Sequence, residues 1–355
     1  MKPLGIGFVG AGMVGQVAHL ANYIDIPGCK VVALAELRPE LGRLAAARYG
    51  IKKLYQSHRE LLADVEVEAV VVVTRPHAHG PIVLDALEAG RHVLSEKPMA
   101  HTVEQAVRLV DAADRRKLNY AVGFMKRHDA GAQQAKATLD ALRGSGELGR
   151  IVLVRAWCYG GEFRCGTSDF VMTDEPRPDG LSTWPSAPDW VPSASVQDYA
   201  WFLNVFLHDL NMLRFLAGGE PEVRAVDFSK KNGRLVMLDF KEFPAILEMA
   251  EIASHDWQEG VEVLFEKGRL TLQFPSPMLR NTPAHIELTR VGATSETVQP
   301  LAPWSWAFRR QAEAFVADIA ASREPLAGGR DAVGDLRLAE AIWSKHLGRG
   351  GSPGT

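Results

Sequence analysis

The sequence predicts an α/β domain on a parallel sheet, followed by an α+β domain on an open, mainly antiparallel sheet. Three observations lead there. As far as Phe124, short apolar strands alternate with amphipathic helices, the pattern of a parallel sheet covered on both faces. A glycine-rich turn, Gly10-Ala11-Gly12-Met13-Val14-Gly15, stands between the first strand and the first helix. Between Glu222 and Val298, strands follow one another with no helical pattern among them. A chain of 355 residues exceeds one ordinary core, so two domains are expected, 1–126 and 127–347, with a disordered tail over 348–355.

The first strand is Leu4-Gly5-Ile6-Gly7-Phe8-Val9, and the helix after the turn runs Gln16 to Ile24. A glycine fingerprint in that place has a physical purpose. The first glycine permits the tight turn, the second lets backbone approach a pyrophosphate, and the third lets helix and strand pack closely. Gly10, Gly12, Met13 and Val14 are therefore candidate dinucleotide contacts, and the first domain reads as a Rossmann domain. The second strand, Lys30 to Ala35, ends at Glu36, at the usual spacing of about 20 residues for an acceptor of ribose hydroxyls. A carboxylate there repels a 2′-phosphate and favours NAD. Arg38 pulls toward NADP or is an exposed charge at a helix start, and the two readings weigh equally.

Helices are expected at Pro39 to Tyr49, Ser57 to Ala63, Gly80 to Ala89 and Val103 to Arg116, with strands at Ala69 to Thr74, His92 to Ser95 and Asn119 to Phe124. The run His92-Val93-Leu94-Ser95 leads into Glu96-Lys97-Pro98. Ligands of open parallel sheets bind outside the carboxyl ends of the strands, so Lys97 would point its ammonium into the cleft. Pro98 removes a donor and restricts Lys97 to extended conformations. For an isolated Glu-Lys-Pro a strand end with a solvated lysine is the better reading; the glycine turn upstream tips it toward a site. Thr74, Arg75 and His77 follow another strand end and join Glu96 as candidate cofactor contacts. His77 is structural or ribose-contacting, and His79 a helix-start residue.

After Gly149 the texture changes. Ala130 to Arg143 is a helix stopped by Gly144-Ser145-Gly146, and Ile151 to Trp157 is a strand. Tyr159 to Asp198 is irregular and rich in Pro, Asp and Trp; so long a loop is functional or a partner-contacting arm. On the next helix, Tyr199 to Leu216, Leu203, Phe206, Leu207, Leu210 and Leu213 form a core stripe, and Asn204, His208 and Asn211 a polar one. Helices Trp306 to Ala321 and Ala332 to Leu347 close the chain.

A net charge of −3 offers no basic field for nucleic acid or an anionic membrane. No apolar run approaches the ~18 residues of a membrane span. Met1-Lys2-Pro3 passes straight into the first strand, leaving no room for a signal peptide. Cys29, Cys158 and Cys165 lack metal-site spacing, so a reducing cytoplasmic setting and no metal are expected.

These motifs, in this order, resemble the glucose–fructose oxidoreductase / inositol dehydrogenase (Gfo/Idh/MocA) family over nearly the whole chain. The resemblance rests on the fingerprint with Glu36, Thr74-Arg75-Pro76-His77-Ala78-His79, Ala86-Leu87-Glu88-Ala89-Gly90-Arg91-His92-Val93 and Glu96-Lys97-Pro98. Val122-Gly123-Phe124 to Arg127, His208-Asp209, and Arg330-Asp331-Ala332 to Glu340-Ala341-Ile342-Trp343 continue it. It implies NAD or NADP, a sugar, glycoside or cyclitol substrate, and a second-domain sheet facing a partner subunit or solvent. It maps Lys97 onto the family's catalytic lysine and His208 onto its catalytic histidine. Two positions depart. Asn204 stands where the family often has Asp, and Thr74-Arg75-Pro76 where it often has Thr-Pro-Asn.

Hydride transfer from a carbinol needs a base for the hydroxyl proton and a donor for the developing alkoxide. A lone helical histidine is better explained as structural, but the matched sequence around His208 reverses that, and His208 is the expected base, with Lys97 orienting the hydroxyl. The opposite assignment remains open. Arg127 anchors cofactor or substrate, or makes a structural ion pair. Tyr159, Asp198, Trp201 and Asn204 are candidates for a polyol wall, ring faces suiting C–H groups and polar neighbours suiting hydroxyls. A hydrolase or epimerase that keeps NAD bound is the second reading, and a non-catalytic nucleotide-binding regulator the third. Strands 235–240 and 245–252 carry apolar residues at both parities, so a homodimer or homotetramer through that sheet is expected.

Overall fold

The computed structural model describes residues 2–176, 178, 181–230 and 232–349. The expectation of a disordered tail falls, from residue 350 on, outside the described residues. The first sheet takes β1 (Leu4–Val9), which leads through a π-helical turn, Gly15–Leu20, into α1 (Ala21–Tyr23). Then come β2 (Cys29–Ala35), α2 (Pro39–Arg48), β3 (Lys53–Tyr55), α3 (His58–Ala63), β4 (Ala69–Val72), α4 (Pro76–Glu88), β5 (His92–Ser95), α5 (Val103–Arg115) and β6 (Tyr120–Val122). Every pairing is parallel, and the strand order is β3-β2-β1-β4-β5-β6, the doubly wound order of a Rossmann domain.

Local chemistry explains the helix starts. Pro39 and Pro76 occupy first turns, where a missing amide costs nothing. Ser57 and Glu60 form a reciprocal capping box at α3, and Thr102 caps α5. Strand β3 escapes sequence reading because it is three half-buried residues on a sheet edge, with no alternation to reveal it. Ile6, Phe8, Leu34, Val71 and Leu94 build a core that Tyr23 and Phe315 complete.

The second sheet follows α6 (Ala130–Ser145), β7 (Ile151–Gly161) and α7 (Val196–Ala217), with β8 (Glu222–Lys230), β9 (Gly233–Asp239), β10 (Pro244–Ala250), β11 (Trp257–Phe265), β12 (Gly268–Gln273), β13 (His285–Arg290) and β14 (Glu296–Val298). Its order is β14-β13-β12-β11-β7-β10-β9-β8, antiparallel except where β7 meets β10. Helices α8 (Ala307–Ala321) and α9 (Gly329–His346) follow. α7 begins three residues before the expected start because a 3-10 turn, Ser193–Ser195, winds into it. Val154, Val236, Leu247 and Val263 are buried on one sheet face, while Leu235 and Met237 on the other are about half exposed (49% and 50%).

The chain forms two compact units. The first is the stretch up to Phe124, Ser168–Asn204 and Phe308–Leu336; the second is Met125–Thr167, Val205–Ala307 and Arg337 onward. The chain leaves the first unit after Phe124 and re-enters it twice. The physical reason for one return lies in the irregular stretch. Gln16 Nε2 donates to the Val171 carbonyl and Gln16 Oε1 accepts from its amide, both at 2.9 Å. Trp184 donates its amide to the His77 carbonyl and lies against Gly80, where a Cβ would stand 2.1 Å from the ring. No helix among the described residues is long and apolar enough to cross a membrane.

Candidate active site

The glycine turn opens at the carboxyl end of β1. Gly10 has φ +98°, and a Cβ there would sit 2.2 Å from the Val73 carbonyl oxygen. A Cβ on Gly15 would come within 2.8 Å of the Gly10 oxygen. These two glycines are required by close backbone packing. Gly12 differs, because a Cβ there would meet nothing within 4 Å. Among the described residues no atom fills the space above it, and the helix start beside it presents amides suited to an anion. These residues fit a dinucleotide.

Glu36 ends β2 and is buried. Its Oε2 accepts from the Ala11 amide at 2.8 Å, and its Oε1 from Arg38 Nε at 2.9 Å. Arg38, left open between two readings, is thus ion-paired with the residue that opposes a 2′-phosphate.

Lys97 follows β5 on the same edge of the sheet. Glu96 is buried and holds that strand end: Oε1 meets His19 Nε2 at 2.9 Å, and Oε2 accepts the Lys97 amide at 3.1 Å. Burial pushes the Glu96 carboxyl up, but His19 and the Lys97 charge outweigh it and leave it below its ordinary value. The Lys97–Pro98 peptide is cis, and Lys97 Nζ donates to the Asn204 carbonyl. At the end of β4, the Thr74 amide donates to His79 Nε2 at 3.1 Å, and His79 Nδ1 lies 3.4 Å from the Pro98 carbonyl. That carbonyl accepts, so the proton sits on Nδ1. Burial lowers the His79 pKa, keeping the ring neutral as a tie between the β4 end and Pro98. The Thr74 hydroxyl is buried and has no hydrogen-bond partner among the described residues. Arg75 precedes α4, and half-buried His77 has its pKa lowered by burial and by Arg75. Asp198 and Trp201, at the start of α7, are exposed.

In the second unit, His208 is half-buried on α7. Arg127 is buried; its Nε donates to Asn211 Oδ1 at 2.8 Å, and its guanidinium lies over the Phe215 ring at 5.1 Å. Tyr159 donates its hydroxyl to Glu248 Oε2 at 2.5 Å, beside Arg155. One cluster was missed by sequence reading. Buried Lys126 bridges to buried Glu259, which also accepts from Trp257 Nε1 at 2.7 Å. Cys158, Asp209 and Glu259 bring their polar atoms within 4.8 Å of one another, and Lys126 supplies the positive charge among them. Burial and then Glu259 push Asp209 well above the usual carboxylate range. The sequence had offered Asp209 beside His208, and Cys158 as a thiol, with nothing to join them.

Residues 4–124 match the family described as "Oxidoreductase family, NAD-binding Rossmann fold", Gfo/Idh/MocA. The chain is 28% identical over 281 residues to inositol 2-dehydrogenase of Rubrobacter xylanophilus, covering 77% of this chain and 71% of that one. It is 33% identical over 157 residues to inositol 2-dehydrogenase of Salmonella typhimurium, covering 43% of this chain and 45% of that one. Levoglucosan dehydrogenase of Pseudarthrobacter phenanthrenivorans is 28% identical over 234 residues, 64% of this chain and 54% of its own. Among solved structures, levoglucosan dehydrogenase with NADH and levoglucosan aligns at TM-score 0.76 and 18% identity over 98% of both chains. A 3-ketoreductase from Actinomadura kijaniata with NADP aligns at 0.74 and 19% identity, over 97% of this chain and 98% of its own. These likenesses share the fold.

Fold and fingerprint together define an oxidoreductase with a nicotinamide-dinucleotide domain. Over residues 4–124 the chain matches the NAD-binding domain of the Gfo/Idh/MocA oxidoreductases, and beyond them it is similar to inositol 2-dehydrogenase.

Proposed function

We propose that the protein is a dehydrogenase that moves a hydride between NAD and a CH–OH carbon of a sugar, glycoside or cyclitol. The observation that carries this is the placement of Lys97. β1 and β5 run parallel in one sheet, so the glycine turn and Lys97 lie at the same edge of it. Inositol and levoglucosan dehydrogenases among the relatives support the substrate class.

Bound nicotinamide supplies the hydride acceptor. Lys97 orients the substrate hydroxyl and stabilises its developing negative charge, and His208 takes its proton, imidazole being a side chain suited to general-base work. Thr74, with its unspent hydroxyl, and Arg75, His77, Gly10, Gly12, Met13 and Val14 contact the cofactor. Trp201, Asp198 and Asn204 bind the polyol; Tyr159 joins them once its hydroxyl leaves Glu248. Glu36 with its paired Arg38 favours NAD over NADP. The exposed Leu235 and Met237 support assembly through the second sheet, and three free cysteines suit a reducing compartment.

A screen of inositols, monosaccharides, anhydrosugars and glycosides with both cofactors tests the reading, followed by the absorbance of reduced nicotinamide. Turnover with exchangeable NAD on at least one is expected. Cofactor that survives gel filtration without net reduction would instead mean transient oxidation.

A further inference from the structure

The irregular stretch brings a carboxylate to a place that sequence reading did not anticipate. α2 starts directly after β2 and Glu36, at the sheet edge where the glycine turn lies. Its first amides have no helical partners and attract an anion. Glu175 already meets that need. Its Oε1 accepts from the Glu40 amide at 2.9 Å and its Oε2 from the Leu41 amide at 2.8 Å. Thr173 Oγ1 donates to the same carboxylate at 2.9 Å. The segment that carries it is fastened upstream of Glu175 at two points. Val171 is paired with Gln16, the residue after the third fingerprint glycine, and Asp169 meets Arg48 on α2 at 2.5 Å.

We propose that Glu175 is a specificity-determining residue that reserves the α2 end of the nucleotide cleft for NAD by occupying the amides a 2′-phosphate would use. The inference rests on the NAD reading above and deepens it. Arg38, the cation that would otherwise welcome a phosphate, is held by Glu36 and lies in the field of Glu175 as well. A 2′-phosphate therefore meets two carboxylates, one of them on its best backbone donors. Glu36 alone does not do this, because its oxygens are taken by Ala11 and Arg38.

The test is calorimetric titration of NAD, NADP, 5′-AMP and 2′,5′-ADP into wild type, Glu175→Ala and Glu175→Gln. The expected result is that Glu175→Ala tightens NADP and 2′,5′-ADP by about tenfold, the scale of one partly buried charge at a helix end. NAD and 5′-AMP should hardly change. Glu175→Gln should give part of the gain, and the gain should shrink as salt rises. Thr173→Val, which loosens Glu175 without removing its charge, should move the ratio less in the same direction. An unchanged NADP-to-NAD ratio in Glu175→Ala with the wild-type melting temperature would overturn the proposal. So would equal weakening of both nucleotides, since Glu175 would then merely fasten the segment. Wild type binding neither NAD nor 5′-AMP would sink the nucleotide reading and this inference together. The expected shift in ratio without turnover of any sugar would sink only the proposed reaction.

Discussion

Lys126, Glu259 and Asp209 show how one buried cation can govern a cluster. Removing Lys126 leaves two buried carboxyls facing each other without compensation. Lys126→Met should therefore cost about 3–5 kcal/mol in urea unfolding, the range for an orphaned buried charge. Asp209→Asn should cost about 1 kcal/mol or less, because burial and Glu259 favour the uncharged form of the carboxyl and an amide replaces it in the same shape. The sign with pH follows from the same shift. A folded pKa above the unfolded one gives stability that is full below the ordinary carboxylate pKa of ~3.9 and is lost as pH rises through the folded value. Wild type should lose ground to Asp209→Asn as pH rises, and a constant difference would show Asp209 charged throughout. Lys97, His208 and Glu36 could be singled out as candidates because each sits in a motif tied to a strand end or helix. Lys126 and Glu259 lie 133 residues apart, so only the folded sheet reveals the pair. Arg127 and Asn211 were each noticed, but nothing in the sequence said they would satisfy one another.

At the scale of elements, the glycine turn separates packing from binding. Gly15→Ala drives a Cβ against the Gly10 oxygen and should destabilise by about 1–3 kcal/mol, as overpacking does. Gly12→Ala meets no atom of the described residues, so its melting temperature should stay near wild type while NAD binding weakens by about tenfold or more. Paired melting and titration curves check both, and equal loss of stability in the two variants would contradict the division. The strands and helices of the first unit were legible through their alternation and caps. β3 was too short, and the course of the irregular stretch depends on contacts such as Gln16 with Val171 that no local pattern encodes.

For the whole molecule, the parallel sheet and the later antiparallel one followed from the order of elements in the chain. The returns of Ser168–Asn204 and Phe308–Leu336 to the first unit did not, because nearness in sequence says little about which core an irregular segment joins. The second sheet leaves Leu235 and Met237 exposed, and a two-fold partner would cover both copies at once. Light scattering at low micromolar concentration should give a dimer or tetramer mass, and Leu235→Lys with Met237→Lys should reduce it. A monomer mass for wild type would remove the assembly.

The most direct measurement pairs NAD dissociation constants with steady-state turnover, on the best substrate of the screen, for wild type, Lys97→Ala and His208→Ala. Each variant should lose ~10²–10⁴-fold in kcat, the contribution of a positioned acid–base group, while His208→Ala binds NAD nearly as wild type does. Near-normal kcat in both variants would contradict the assignment of hydride-transfer chemistry to these residues.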